Sequence, residues 1–346
     1  MIDLADLLAT IGILHKTVAQ NPDDEAVRLL GKFQRIAVDR LIDDKWSRDA
    51  RVLPLTDAHR TLYRNIHILC LHQLNEFPNL VNCRDYNDRI QWLKLFDQGP
   101  EVVQCSDKLG LRSFVEQRLG DGYLPQLLQV ADRYDALDFA ALPDQFVLKT
   151  NHDSGSVFLV PDKAAIDHAR IRPQVEASLG RVYGWEKGEW AYSLIQPKVF
   201  AEAYLGTVQS ERPADFKFHC VDGRVAWLQY IFDRGRGTKE AIIDPDGSVT
   251  PLHFDHNMQH AETFEKPAAW AELVRVAEVL AKGFRYVRVD LYWVEGRILV
   301  GEMTFFPLMG CYRSADQKPL GQLLNFDRSN AKPPICGQAP GLRVAA

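Results

Sequence analysis

The length, composition and charge of the chain set broad limits on its class. Its 346 residues suit one large domain or two to three smaller ones, and its 46% hydrophobic and 25% charged content is ordinary for a globular protein. The formal net charge of −5 provides no global basic field, which disfavours nucleic acid or an anionic membrane as a partner. Scattered cysteines, no signal-peptide pattern and no apolar run long enough to span a bilayer predict a cytoplasmic protein with reduced thiols.

The first hundred residues are predicted to be mostly helical. Apolar residues recur near the 3.6-residue helical period over 27–46 and over 61–74, and 88–96 is a shorter candidate. We therefore expect a helical N-terminal region over residues 1–98. No residue pattern there points to catalysis, so a substrate platform, an oligomer surface and simple support all remain open as roles.

Strands joined by tight turns are predicted further along the chain. Ser106 or Asp107 can cap a helix that ends at the glycines after Leu119. A strand over 145–149, a polar turn containing glycine and a second strand over 157–160 then predict a hairpin. A further helix is predicted to follow this hairpin.

The second half of the chain repeats the hairpin pattern. Strands predicted over 215–220 and 224–232 flank Val221-Asp222-Gly223, and an Asp-Gly pair in this setting is typical of two-residue hairpin turns. After a predicted helix over 270–282, the last hairpin turns at Glu295-Gly296. The chain has no regular βαβ alternation, no Gly-x-Gly-x-x-Gly after a strand and no Walker A sequence. An α+β architecture is therefore favoured over a doubly wound parallel sheet.

The last hairpin carries two carboxylates among apolar residues. Asp290 lies in its first strand, and Glu302 and Thr304 lie in its second. Residues two apart on a strand point the same way, so Glu302 and Thr304 face one spot, to which strand pairing can bring Asp290. Arg288 supplies a counter-ion, which leaves a buried ion pair as one interpretation. Hard oxygen ligands also suit Mg²⁺ bound with substrate phosphates, so the pattern points toward nucleotide chemistry.

Three lysines are candidate anion ligands, and each also has a simpler explanation. Lys149 ends an apolar strand and enters the polar turn, where it can hold phosphate or extend into water. Lys217 lies between two phenylalanines on a strand, and it faces either a cleft or solvent. Lys108 follows Asp107 at a predicted helix start, where a lysine opposes the helix dipole.

Other polar residues are weaker candidates. The segment 151–156 is a short polar loop, and most such loops are simply turns. Glu202 is a carboxylate in an apolar strand, which can bind an adenine amino group or a ribose hydroxyl, or can face water. Arg234 and Arg236 can grip an anion, although exposed loop arginines are the simpler interpretation.

Two further chemistries are disfavoured by the sequence. The spacing of His253, His256 and His260 resembles that of zinc ligands, but no fourth ligand supports a zinc site. Hydrolysis by a Ser-His-Asp triad is unsupported because the sequence has no nucleophile elbow.

Taken in chain order, these features resemble the ATP-grasp superfamily over roughly residues 100–325. Lys108 is similar to the first nucleotide-binding lysine of that superfamily. Lys149, ahead of the glycine-containing loop, is similar to the second. The segment 201–205 is similar to the hinge strand that holds adenine.

The carboxylate hairpin matches the superfamily with one departure. Arg288-x-Asp290 followed by Glu302-x-Thr304 resembles the usual Arg-x-Asp and Glu-x-Asn, with Thr304 in place of asparagine. A hydroxyl is a poorer ligand than an amide oxygen. A second metal ion would therefore be held more loosely.

The closer resemblance is to the TupA-like branch, which is named for teichuronopeptide biosynthesis and is placed among polysaccharide-synthesis proteins. Several specific sequence motifs in the same order support this resemblance, and any one of them alone would be weak evidence. They lie at 149–155, 189–192, 215–218 with the following Asp-Gly, and 301–305.

The resemblance implies an α+β ATP-grasp fold, in which two antiparallel-sheet subdomains grip ATP, next to a helical N-terminal region. It implies an ATP-grasp domain over 99–330, with a lid at about 145–205 and a metal-binding core over 206–330, and then a C-terminal tail over 331–346. It further implies an ATP-dependent carboxylate–amine ligase with ATP and Mg²⁺ as cofactors, which forms an amide through an acyl phosphate. The expected partners are a small-molecule or glycan carboxylate and an amine co-substrate, the expected role is in surface polysaccharide or glycan-conjugate biosynthesis, and an oligomer is left open.

The same resemblance implies roles for individual residues. Arg288 would stabilise charge on the transferring phosphoryl group, Lys217 would face the nucleotide, and His152 would contact phosphate. The expected nucleotide contacts are Lys108, Lys149, Asn151, Ser154, Gly155, Ser156, Glu202, Ala203, Tyr204 and Leu205, and the expected metal ligands are Asp290, Glu302 and Thr304. A kinase or a glycosyltransferase-type transferase acting on polysaccharide precursors is the alternative, and a non-catalytic nucleotide-binding assembly factor is a third hypothesis.

Overall fold

The computed structural model describes most of the chain, namely residues 9–11, 13–14, 16–18, 24–205, 213–233, 237–255 and 257–335. Arg234, Arg236 and His256 lie outside the described residues, as does the part of the predicted tail beyond residue 335. The candidate roles of the two arginines and the histidine therefore stay predictions from sequence.

Helices dominate the N-terminal part, as predicted. Helix α1 spans Asp24–Asp49, α2 spans Arg60–Leu74, and α3 spans Tyr86–Phe96. The helix predicted to begin at Ser106 or Asp107 begins at Gly110 instead, as α5 (Gly110–Leu119). A short helix that was not predicted, α4 (Pro100–Ser106), precedes it, and Asp107 has extended backbone angles between the two. No helix within the described ranges is long and apolar enough to cross a bilayer.

A small antiparallel sheet forms from the middle of the chain. Its strand order is β1-β4-β2-β3. Helix α6 (His168–Leu179) packs against it, and the short helix α7 (Trp190–Ser193) precedes its last strand. The strands are β1 (Leu127–Ala131), β2 (Phe146–Thr150), β3 (Val157–Val160) and β4 (Val199–Ala203).

A large sheet forms from the second half of the chain, in the order β10-β9-β5-β6-β7-β8. All its neighbouring strands are antiparallel except β7 and β8, which are parallel. Helix α8 (Trp270–Ala281) packs against it, and α9 (Gln317–Leu323) packs against α3. The strands are β5 (Asp215–Val221), β6 (Arg224–Phe232), β7 (Lys239–Ile243), β8 (Gln259–His260), β9 (Tyr286–Val294) and β10 (Arg297–Thr304).

Both predicted two-residue hairpin turns form in the large sheet. Asp222 and Gly223 have φ of 47° and 76°, and Glu295 and Gly296 have φ of 51° and 75°. Two successive residues with positive φ define the type I′ turn, whose twist matches that of paired strands. The turns thereby fix the register of the β5–β6 and β9–β10 hairpins.

Two hydrophobic cores lie on either side of a cleft between the sheets. The large core joins the large sheet to the N-terminal helices, with Ile66 of α2 and Phe96 of α3 in the same cluster as Leu291 of β9. It is therefore continuous across the boundary predicted at residue 98, and it also takes in Trp190 from the predicted lid range. The small core contains Phe146, Leu148, Ile171, Val175 and Val199, among others, and belongs to the small sheet and α6.

Candidate active site

The cleft between the two sheets gathers most of the predicted site residues. It contains two adjoining cavities of about 390 Å³ and 310 Å³. We call the first the hinge cavity, because it is lined by β2 and the end of β4, and the second the helix cavity, because it is lined by α4, α5 and the segment 183–192. Both cavities are bordered by Lys108, Ser154, Lys217 and Glu302.

A row of charged side chains crosses the large sheet where the cavities meet. Lys217 on β5 and Glu302 on β10 are both register partners of Asp290 on the central strand β9. Arg288 donates from Nε to Asp290 Oδ1 at 2.7 Å and from Nη2 to Oδ2 at 2.8 Å. The same Nη2 lies 2.9 Å from Glu302 Oε1, and Lys217 donates to Asp290. The structure thus brings the two carboxylates and both cations together.

A β-bulge turns Glu302 toward the cleft. The β9–β10 register shifts between Val300 and Glu302, so Gly301 is an extra residue in β10. Val300 and Met303 then both face the buried side, while Glu302 faces the cleft beside Asp290. Position 301 requires glycine because a Cβ there would lie 2.7 Å from a ring carbon of Tyr292.

The charges in this row alter one another's ionisation. The pKa of Glu302 is well below its ordinary value. Desolvation in the cleft would raise it, but the neighbouring cations, Arg288 first among them, have the larger combined effect. Burial raises the pKa of Asp290, against the opposing effects of Arg288 and Lys217. The side chain of Asp290 is 2% exposed and that of Glu302 is 43% exposed, so Glu302 is the carboxylate more accessible to a ligand.

The oxygen atoms in this row fit a hard divalent cation. Thr304 Oγ1 lies 3.1 Å from Glu302 Oε1, on the same side of the hairpin as Asp290. Within the described ranges no three His, Cys, Asp or Glu side chains gather as a metal cluster. A cation here would therefore take Asp290, Glu302 and the weaker hydroxyl ligand Thr304, and would need substrate oxygens to complete its shell, as Mg²⁺ usually does.

The hinge cavity combines apolar walls with an ion pair. Lys149 on β2 donates to Glu202 on β4, and Arg112 Nη1 lies 3.9 Å from the second carboxylate oxygen of Glu202. The two partners are therefore already engaged with each other. The walls include Val147, Leu159, Ala203, Tyr204 and Leu205. A slot with apolar faces and a strand end at its rim can accept a flat heterocycle.

The loop 151–156 is organised by a carboxylate that the sequence did not single out. The Asp153 side chain has no exposed surface and accepts four hydrogen bonds. Burial raises the pKa of Asp153, but these hydrogen bonds outweigh it and lower the pKa below its ordinary value. The donors are the hydroxyls of Thr150, Ser156 and Ser178 and the guanidinium of Arg181, the last three at 2.6, 2.6 and 2.7 Å.

Asn151 and His152 are buried away from both cavities. The Asn151 amide donates to Asp107 Oδ1 at 2.9 Å and accepts from the Lys198 backbone N at 2.6 Å. His152 Nε2 lies 3.1 Å from the Ser178 carbonyl oxygen, and burial lowers its pKa. These residues hold the loop in place, in contrast to the nucleotide and phosphate contacts expected for them.

The tip of the loop does face the cleft. Ser154 and Gly155 are exposed and line the hinge cavity, and Gly155 has the left-handed φ of 95°. Ser156 is directed toward Asp153 instead. Lys108, the first predicted nucleotide-binding lysine, also borders the cleft. Its ammonium donates to the Asp153 backbone carbonyl and thereby stabilises the loop.

The helix cavity contains charged residues that received no role from sequence. Glu189 and Lys187 both line it. Lys94 of α3 is fully buried behind it and donates to the backbone oxygens of Lys187 at 2.9 Å and Met309 at 2.7 Å. Glu189 begins the 189–192 motif of the family resemblance, and that motif could have marked it as a candidate site residue. Nothing in the sequence distinguishes Lys94 from a surface lysine.

The fold is that of an ATP-grasp protein. The TupA-like ATPgrasp family model matches residues 88–324, which is more than half of the chain. The chain therefore belongs to the TupA-like ATP-grasp family, within the ATP-grasp ligase superfamily. This confirms the predicted family and the predicted α+β ATP-grasp fold. No curated protein matches the sequence.

Solved structures resemble the chain at low identity. The D-alanine–D-alanine ligase from Bacillus anthracis complexed with ATP is 17% identical, with 58% of this chain and 54% of that chain covered and a TM-score of 0.34. The ATP-grasp ligase PsnB complexed with minimal precursor is 14% identical, with 65% and 62% covered and a TM-score of 0.34. A RimK domain protein ATP-grasp from Sphaerobacter thermophilus is 15% identical, with 68% and 75% covered and a TM-score of 0.36. The chain thus spans less than two thirds of the first two proteins.

Proposed function

We propose that the protein is an ATP-dependent carboxylate–amine ligase that forms an amide through an acyl phosphate. The observation that carries this proposal is the row of Lys217, Asp290 and Glu302, joined by Arg288, at the junction of two cavities. A phosphoryl donor in one cavity and an acceptor in the other would meet at this row. The family name supports a place in surface polysaccharide or glycan-conjugate biosynthesis, and the need for ATP favours the cytoplasm.

The hinge cavity is the proposed nucleotide site. Val147 and Leu159 would pack against the adenine faces, and the strand end at Ala203 would meet the adenine edge. Lys149 and Lys108 border the route from this cavity to the carboxylate row, where they would neutralise phosphate charge. The exposed loop tip at Ser154 and Gly155 offers further polar contacts to the phosphates.

The carboxylate row is the proposed phosphoryl-transfer site. Asp290, Glu302 and Thr304 would hold Mg²⁺, which neutralises phosphate charge when bound. Phosphoryl transfer depends mainly on positioning and charge stabilisation. Arg288 is fixed by its two hydrogen bonds to Asp290, so its guanidinium is preorganised to stabilise charge on the transferring group and on a tetrahedral oxyanion.

Water has to be kept from an acyl phosphate, because water would hydrolyse it. The tip of the loop 151–156 borders both cavities at Ser154, and the loop is tied down by Asp153 and Lys108. Closure of its exposed tip over bound substrates would exclude water from the reacting groups.

The decisive experiment measures nucleotide products with paired substrates. We expect ADP release that requires both a carboxylate and an amine, in a screen of uronic acids, amino acids and sugar nucleotides, with the amide seen by mass spectrometry. Release of AMP would contradict the acyl-phosphate mechanism. A phosphorylated sugar formed without an amine would instead identify a kinase.

A further inference from the structure

Two opposite charges lie in the helix cavity, away from the nucleotide side. Glu189 is 7% exposed and lines this cavity, and its carboxylate has no hydrogen-bond or ion-pair partner within the described part of the chain. Lys187 lines the same cavity, is exposed, and forms no ion pair with any described carboxylate. Its ammonium nitrogen lies 5.1 Å from the centre of the Tyr183 ring.

The segment that carries these charges is held rigidly. Gly184 has a φ of 85° and approaches so closely that a Cβ on it would lie 2.6 Å from the Glu189 carbonyl oxygen. The Glu189 backbone N donates to the Gly184 carbonyl at 2.8 Å. Lys94 ties the Lys187 carbonyl to that of Met309 across the cavity floor. The backbone on which the carboxylate and the ammonium are carried is therefore fixed.

We propose that Glu189 and Lys187 bind the ammonium and carboxylate groups of an α-amino acid, which serves as the amine substrate. The nearby Lys94 ammonium donates to two backbone carbonyls and forms no described hydrogen bond or ion pair with Glu189. A buried carboxylate without such a bond is costly, and a substrate ammonium would offset that cost. The edge-to-face pair of Tyr183 and Tyr192, with ring centres 5.5 Å apart, forms an aromatic wall beside it. This inference rests on the proposed ligase function and names the class of its second substrate.

Glu189 is also suited to receive the proton that the amine must lose. Burial raises the pKa of Glu189 to about 7, with Lys94 and Lys187 opposing the shift. The ammonium would give one proton to Glu189, and the freed nitrogen lone pair would attack the acyl carbon. The C–N bond forms, the C–O bond to phosphate breaks, and the phosphate leaves with that electron pair and the second amine proton.

A hydroxylamine trap separates this inference from the ligase proposal. Full-length protein with ATP, Mg²⁺ and each carboxylate of the screen should form a hydroxamate, because neutral hydroxylamine needs no deprotonation. Glu186→Gln, which removes a charge outside the cavity, should form it at the wild-type rate. Absence of hydroxamate from the wild type with every carboxylate would overturn both the ligase proposal and the inference.

The amine panel then tests the inference itself. Glycine, L-alanine and L-glutamate should stimulate ADP release more than their methyl esters or glucosamine, which lack the α-carboxylate. Glu189→Gln should raise the KM for the amino acid by about 10- to 100-fold, the effect of losing a hydrogen bond to a charged group, and leave the KM for ATP unchanged. Lys187→Gln should remove the preference for the free amino acid over its methyl ester.

The matched control is Glu186→Gln, which removes the same charge from an exposed neighbour that does not line the cavity. It should leave the KM for both substrates unchanged. Hydroxamate formation combined with equal use of glucosamine and amino acids would overturn the inference alone. An unchanged amino-acid KM in Glu189→Gln would do the same.

Discussion

Asp153→Asn tests whether one buried carboxylate holds the loop over the cleft. The substitution keeps the side-chain shape but removes the charge and replaces one acceptor oxygen with a donor nitrogen. Asp153 accepts from three hydroxyls and from Arg181, and its own side chain is fully buried. The variant would leave at least one of these donors facing another donor.

The magnitude follows from the exposure of the partners. The Arg181 side chain is 49% exposed, so water can solvate it when the contact weakens, and we assign it no energy. The cost then comes from a buried hydrogen bond to a charged group, which is worth about 1.5–3 kcal/mol. We expect the unfolding free energy to fall by about 2–3 kcal/mol. If roughly 1.4 kcal/mol of that loss destabilises the ATP-binding conformation of the loop, the affinity for ATP should fall about tenfold.

The assays are urea unfolding, calorimetric ATP binding and amide hydrogen exchange over 150–157. Asp144→Asn is the control, because Asp144 is exposed and its only described hydrogen bond is through its backbone carbonyl. It should stay within about 0.5 kcal/mol of the wild type. An Asp153→Asn protein with wild-type stability, exchange and ATP affinity would refute the reasoning.

The same substitution should change the response to acid. The pKa of Asp153 is lower in the folded protein than its ordinary value of 3.8, so its contribution to stability is complete above about pH 5 and is lost as pH falls through the folded pKa. The stability difference between wild type and Asp153→Asn should therefore be constant near neutrality and shrink below about pH 4. A difference that grows in acid would contradict the sign of this pKa shift.

The remaining predictions concern the other candidate residues. Asp290→Asn and Glu302→Gln should each abolish Mg²⁺-dependent ADP release, and near-wild-type turnover in either would remove that residue from the metal site. Lys149→Ala should weaken ATP binding by about tenfold in calorimetry, because a charge-assisted contact to phosphate is lost. An unchanged affinity would mean that Lys149 serves only as the ion-pair partner of Glu202. His152→Phe should lower the unfolding free energy by about 1–2 kcal/mol through the lost hydrogen bond, while the KM for ATP stays within about twofold. A fall in kcat of about a hundredfold without misfolding would restore a catalytic role for His152.

Local sequence patterns predicted much of the fold because local chemistry determines those elements. The strands Val157–Val160 and Arg224–Phe232 coincide with their predicted bounds, since turn residues with positive φ mark their ends. The carboxylate hairpin was predictable for the same reason, as period-two alternation and one Glu-Gly turn set its pairing. The bulge at Gly301 was not predictable, because it depends on the space beside the Tyr292 ring.

Polar residues with distant partners were the main omission. Lys94 lies on α3, where every residue except Arg89 is buried, although its polar side chains suggest a solvated face. Its ammonium is satisfied by carbonyls 93 and 215 positions away in the chain. From the sequence, Asp153 is only part of a polar turn, because its donors Ser178 and Arg181 come from the last turn of the next helix and from just beyond it. Tertiary contacts of this kind have no local pattern.

The separation of the hydrophobic cores has a consequence for cooperativity. The small core and the large core are separate clusters of buried residues. The two sides of the cleft can therefore unfold as distinct calorimetric transitions. A nucleotide that contacts both sides would bind only when both are folded, and mass action would then link their unfolding. We expect saturating ATP to merge two transitions into one, so that the shape of the melting curve, and not only its midpoint, would report that the cleft is filled.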